Sequence, residues 1–111
     1  MRIITAMIQP FMFHKVASAL ETIEGFPGMT VTDVKGFGRR QSAREEYSMH
    51  LDEFHPKTRI EIVTADEMVR QIVNAIADAA HTGNHGDGKV FVWPVEQAVR
   101  IQTGEIQEEA L

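Results

Sequence analysis

Nine residues, His81-Thr-Gly-Asn-His-Gly-Asp-Gly-Lys89, bring three glycines and one lysine into a single turn between an apolar-faced helix and an apolar strand. Gly83, Gly86 and Gly88 permit positive φ, so successive backbone N–H groups can converge on an anion while Lys89 adds a point charge. The chemistry of such a turn is phosphate binding. Gly83 to Lys89 also satisfies the first part of a Walker A spelling, but Val90 stands where Ser or Thr would hold magnesium. Moreover, Lys89-Val-Phe-Val-Trp93 reads as a strand rather than a helix. The Walker reading is therefore rejected. Taken alone, the turn also fits a plain glycine-rich connection without a ligand.

The elements that must position this turn follow from periodicity. Ile3 to Ile8 is an apolar run of strand length closed by Gln9-Pro10. Phe13, Val16, Ala17, Leu20 and Ile23 fall at helical spacing, and Gly25-Phe-Pro-Gly28 ends that helix. Thr30 to Phe37 is rich in β-formers and predicts a second strand. Residues Gln41 to His55 are polar, with four acidic residues, two histidines and one tyrosine, and predict a long flexible loop and contact surface. Thr58 to Val63 alternates as a third strand, with Ile60 and Ile62 on one face and Arg59 and Glu61 on the other. Thr64-Ala-Asp-Glu67 reads as a capping box for a second helix carrying Met68, Val69, Ile72, Val73, Ile76 and Ala80. Lys89 to Trp93 is the fourth strand, and Ala98 to Gln102 predicts a short edge strand.

The order β-α-β-loop-β-α-β is that of the ferredoxin-like α+β sandwich: an antiparallel sheet with both helices on one face. On the other face Arg59, Glu61 and Lys35 are expected beside Val31, Phe37 and Val63, a mixture suited to a partner subunit.

Bulk properties narrow the function. At 111 residues the chain is expected to be one domain. Its net charge of -5, without clustered Lys and Arg, argues against nucleic-acid binding. Absence of cysteine removes disulfide and thiolate chemistry and suits a cytoplasmic setting. No stretch has the length of a membrane span or the pattern of a signal peptide, so direct membrane insertion is not expected.

Gly28-Met-Thr-Val-Thr32, Val34-Lys-Gly-Phe-Gly-Arg39, Pro56-Lys57, Ile60-Glu-Ile-Val63, Thr82-Gly83, Gly86-Asp-Gly-Lys-Val-Phe-Val92, Pro94-Val-Glu96 and Ala98-Val-Arg-Ile101 with Thr103-Gly-Glu105 together resemble the PII signal-transduction proteins. The resemblance runs almost end to end. It implies a homotrimer that binds ATP or ADP between neighbouring subunits, with AMP as a further candidate. It also implies regulation of a target protein, such as a membrane transporter or a nitrogen-metabolism enzyme, through a flexible T-loop. In that scheme the Gly86, Asp87, Gly88 and Lys89 turn, Arg39 and Arg100 meet the phosphates. Thr30, Gly36, Phe37, Gly38, Glu61 and Val63 frame adenine and ribose, with Met7 and Gly28 beside them. Within the loop, Arg40, Arg44, Tyr47, His50 and Glu53 are the partner-contact candidates.

Three departures from the family pattern stand out. Arg40 replaces the glutamine that helps hold magnesium with 2-oxoglutarate, and a guanidinium has no lone pair for a metal; magnesium and 2-oxoglutarate are left open. Gln102 replaces a second arginine, removing a charge near the terminal phosphate. The loop is shorter and lacks the usual Tyr-Arg-Gly-Ala-Glu-Tyr run, so Tyr47 is not assigned to the tyrosine that some members have uridylylated. The chain is placed among divergent PII-like proteins.

A second reading rests on His50 and His55 with their neighbouring carboxylates, ligand types that suit zinc, nickel or copper. It would make the chain a metal-responsive adaptor linked to heavy-metal efflux. No resident metal is assigned, and no residue set satisfies the needs of catalysis, so the chain is not expected to be an enzyme.

Overall fold

The computed structural model describes residues 1–38 and 54–111. Strand β1 (Arg2–Ile8) leads through a 3-10 turn (Pro10–Met12) into helix α1 (Phe13–Glu21), and β2 (Thr30–Gly36) follows. After residues 39–53 come β3 (His55–Thr64), a second 3-10 turn (Asp66–Met68), α2 (Val69–Ala80), β4 (Gly88–Pro94) and a short 3-10 turn (Gln107–Ala110). The described strands form one antiparallel sheet in the order β2-β3-β1-β4. This is the ferredoxin-like arrangement.

Strand alternation and helical spacing build one core. Ile4, Ala6 and Ile8 of β1 and Ile60 and Ile62 of β3 meet Val16 and Leu20 of α1 and Ile72, Ile76, Ala79 and Ala80 of α2, all buried. Each fully buried isoleucine contributes about 1.5–3 kcal/mol by leaving water, which makes this face the main source of stability. The central strands β1 and β3 thereby fix the residues of their opposite face: Ile3, Thr5 and Met7 on β1, and Arg59, Glu61 and Val63 on β3.

Four local expectations change. Strand β3 is longer than Thr58 to Val63 and begins at His55, so His55 belongs to the sheet rather than to the preceding loop. At its other end Thr64 still pairs with Arg2, and alternation turns its side chain into the core. The expected capping box does not form. Thr64 is 1% exposed, its Oγ1 has no hydrogen-bond partner among the described residues, and the helical turn is entered from Ala65 with no side-chain cap.

Strand β2 also sits in a different parity from the one expected. Glu61 lies opposite Thr30 and Arg59 opposite Thr32, so Thr30, Thr32 and Val34 share the outer face. Val31 and Lys35, opposite Ile60 and Pro56, belong to the helix-side face. Both are nonetheless exposed, because β2 is an edge strand. Finally, Ala98 to Gln102 adds no strand to the sheet. Val99 makes one isolated bridge to Ile106 within a C-terminal hairpin, held by Arg100 N–H to Glu105 O at 2.8 Å and Gln107 N–H to Ala98 O at 2.8 Å.

Candidate functional site

The glycine turn is built before any ligand arrives. Asp87 folds back over it, accepting hydrogen bonds from Thr82 N–H at 2.7 Å, Gly83 N–H at 2.9 Å and the Thr82 hydroxyl. These bonds, the Thr82 hydroxyl first and then the two amides, together with His81 nearby, hold the Asp87 carboxyl below its ordinary value against a smaller opposing effect of burial. Asp87 therefore organises the turn, and its charge is spent inside it. A depressed folded-state value means that ionised Asp87 stabilises the turn above the ordinary value of 3.8, and that this stabilisation is lost as pH falls through the folded-state value. Asp87→Asn is accordingly expected to lower the thermal midpoint at pH 7. The gap to the wild type should close in acid, as a pH series of melting curves would record.

Lys57, at the start of β3, donates from Nζ to Gly86 O at 2.6 Å and ties the far side of the turn to the sheet. Lys57 stands in the Pro56-Lys57 motif, but the motif alone gives it no place in the site. A basic residue directly after Pro56 at a strand start was the available signal. Gly86 and Gly88 have φ of +89° and +112°, and a β-carbon on Gly88 would lie 1.8 Å from the Met7 carbonyl oxygen. Only glycine lets the turn come this close to β1. Lys89 follows on the outer face, opposite Met7, and makes no ion pair among the described residues.

Two clefts collect the expected residues. The first, about 1010 Å³, is lined by Met7, Gly36, Phe37, Gly38, Gly86, Asp87, Gly88 and Lys89, together with Lys35, His55 and Lys57. It is cationic and glycine-rich, with the size of a small-molecule site. Phe37 packs on Phe54 at 5.4 Å between ring centroids, which joins the two chain ends flanking residues 39–53 beside this cleft. The second cleft, about 580 Å³, is lined by Gly28, Thr30, Glu61 and Val63 with Ile3 and Leu111. Its carboxylate and apolar walls suit a neutral ring or sugar rather than phosphate.

Strand register places the clefts at opposite ends of the sheet. Met7, Lys89 and Gly36 lie at one end, and Ile3, Val63 and Thr30 at the other; Ile3 and Met7 are about 13 Å apart along β1. Arg100 lines neither cleft, but its guanidinium donates to the Leu111 carbonyl at 2.7 Å, beside the second. It also lies 3.7 Å from Glu105. The structure thus divides the expected residues into two groups within one chain. Arg39, Arg40, Arg44, Tyr47, His50 and Glu53 lie outside the described residues.

The metal reading gains nothing here. His50 is outside the described residues, and among those described no three His, Cys, Asp or Glu side chains are placed to hold a metal ion. Nor is any described helix long and apolar enough to cross a membrane.

A ferredoxin-like sheet with a cleft at each end is the class that fold and site define. Residues 1–105 match the family model described as Nitrogen regulatory protein P-II. The chain is 46% identical to nitrogen regulatory protein P-II of Haemophilus influenzae and 48% identical to that of Rhizobium etli, each across 100% of both chains. It is 41% identical to nitrogen regulatory protein GlnK of Escherichia coli, again across 100% of both. The solved structure of Arabidopsis thaliana PII bound to citrate superposes with a TM-score of 0.82 at 38% identity, covering 99% of this chain and 91% of that one. The chain belongs to the nitrogen regulatory protein P-II family, whose members are regulatory proteins.

Proposed function

We propose that this chain binds ATP or ADP at sites shared between neighbouring copies, and that occupancy controls a target protein through the loop at about residues 41–55. The observation that carries the reading is the division of the site. A cationic, glycine-lined cleft that suits phosphates lies at one end of the sheet, and a cleft with an acid and apolar walls that suits a nucleoside lies at the other. Neither is a complete nucleotide site. One copy's first cleft set against another copy's second would make one.

Repeated head to tail, such a contact closes into a ring, and the homotrimer that the family resemblance implies would carry three equivalent seams of this kind. The outer sheet face supplies the seam: Phe91 and Trp93, two large apolar rings, are 50% and 54% exposed there and suit cover by a neighbouring copy. Citrate, bound in the plant relative, is a small polyanion, a ligand class that a cationic turn suits.

In this assignment Gly86, Gly88 and Lys89 hold the phosphates on amides and a point charge, with Arg39 and Arg100 as forked donors. Met7, Gly36, Phe37 and Gly38 wall the same pocket. Gly28, Thr30, Glu61 and Val63 take the nucleoside. Phosphate at Gly36 to Arg39 touches the base of the loop, so a nucleotide can bias the loop through Phe37 and its partner Phe54. No catalytic step is assigned, and the target is a protein, with a membrane transporter or a nitrogen-metabolism enzyme as the candidates.

Calorimetric titration with ATP, ADP and AMP tests the reading. Micromolar binding of at least one of them is the expected outcome; heat of dilution alone for all three would overturn it.

A further inference from the structure

The outer face of β3 carries an ion pair between Glu61, a residue expected to frame the nucleoside, and Arg59, which had no place in the site. Arg59 and Glu61 are two residues apart, so alternation puts both side chains on that face, and Arg59 Nη2 donates to Glu61 Oε2 at 2.9 Å. Strand β3 is central, paired with β1 and β2 on either side, so the backbone beneath the pair is rigid. Neither side chain is free in water: Arg59 is 37% and Glu61 29% exposed. Arg59 Nε is fully buried and has no hydrogen-bond partner among the described residues. The guanidinium is thus partly desolvated, with Glu61 as its one acceptor among the described residues, and a pair in that state holds its geometry more firmly than an exposed one.

Glu61 lines the second cleft, and Arg59 does not. Among the described residues nothing else binds the Glu61 carboxylate, which leaves Oε1 to a ligand. An ionised carboxylate only accepts, so what it recognises must be a donor: a sugar hydroxyl or the exocyclic amine of a base. Without Arg59, Glu61 would regain the rotamers of a free side chain, and would lean toward water rather than into the cleft.

We infer that Arg59 is a positioning residue that aims the Glu61 carboxylate at a donor group of the nucleoside, so that discrimination among nucleotides depends on a side chain outside the pocket. This rests on the nucleotide reading above.

The test is calorimetry of the assembled protein with ATP, 2′-deoxy-ATP, 3′-deoxy-ATP and ITP. A hydrogen bond to a charged group corresponds to a preference of about tenfold for ATP over the analogue that lacks the donor. The deoxy analogues report a sugar contact and ITP an amine contact. In Arg59→Met that preference is expected to shrink to about twofold or less, with affinity for the donor-lacking analogue unchanged. Arg59→Lys, which keeps a cation beside Glu61, should retain most of it. Should the methionine variant fail to assemble, Arg59→Leu carries the same test.

Full discrimination in Arg59→Met or Arg59→Leu would overturn the inference. So would an equal loss for all four nucleotides, which would mean that Arg59 touches the phosphates or only supports the fold. Equal wild-type affinity for all four would show that Glu61 reads no donor. Absence of wild-type binding to any of them would instead sink the nucleotide reading, and this inference with it.

Discussion

Gly88→Ala is expected to unfold much of the edge of the sheet, lowering stability by about 3 kcal/mol or more. Two costs combine. At φ +112° an L-residue is strained whatever the space around it, and here there is no space: the added carbon would stand 1.8 Å from the Met7 carbonyl oxygen and 2.8 Å from its carbon. The obstacle is backbone of the central strand β1, so relief comes only by pulling β4 away from it. Gly88 opens β4 opposite Ile8, and the displacement would carry Lys89 and the outer-face residues Phe91 and Trp93 with it. Gly38→Ala is the matched control. It adds the same methyl group where nothing among the described residues lies within 4 Å and φ is ordinary, and should shift stability by no more than about 0.5 kcal/mol. Urea unfolding of the two variants separates these outcomes. Wild-type stability in Gly88→Ala would contradict the close approach of turn and strand.

Lys89→Ala should leave the fold alone and remove nucleotide affinity. Lys89 is exposed and makes no ion pair among the described residues, so stability should change by no more than about 0.5 kcal/mol. Binding is another matter. The lysine projects from the strand that continues the glycine turn, on the face where a neighbouring copy would present its nucleoside-binding half. Removing one of the charges that hold a desolvated polyphosphate costs about 2–4 kcal/mol, so ATP affinity should fall on the order of a hundredfold. The remaining binding should depend less on salt than the wild type's. An affinity within threefold of wild type, about 0.7 kcal/mol, would remove Lys89 from the phosphate site.

Much of the architecture was legible because the core is strongly patterned. Ile4, Ala6 and Ile8 alternate with outer-face residues, Ile60 and Ile62 do the same, and Ile72 and Ile76 stand one helical turn apart. Where burial weakened, so did the pattern. Strand β2 exposes Val31 on its helix-side face and Thr30 and Thr32 on the other, so hydrophobicity carried no sign of which residues share a face. Thr64 misled for a different reason: its hydroxyl is chemically able to cap, but one more rung of pairing with Arg2 turns it inward. Residue chemistry also marked the turn at Gly83 to Lys89 correctly, since only glycine fits at Gly88. It did not show that Asp87 would be consumed by Thr82 and Gly83, or that Lys57 would reach Gly86, because both depend on contacts across the turn.

The division of the site was the least legible feature. Resemblance placed Lys89 and Arg100 together on one phosphate tail. In the chain itself Lys89 lies in the first cleft, while Arg100 is bonded to Leu111 at the edge of the second. The two residues belong to one site only if different copies supply them. Mixed assemblies of Lys89→Ala and Arg100→Ala subunits test that most directly. Each variant alone should bind ATP weakly, since every seam lacks one residue. When the two are unfolded and reassembled together at equal amounts, about one quarter of the seams regain both residues and should bind with wild-type affinity. Recovery of such a high-affinity fraction is the predicted result; a mixture that binds no better than its two components would place both residues in a site within a single chain and contradict the account.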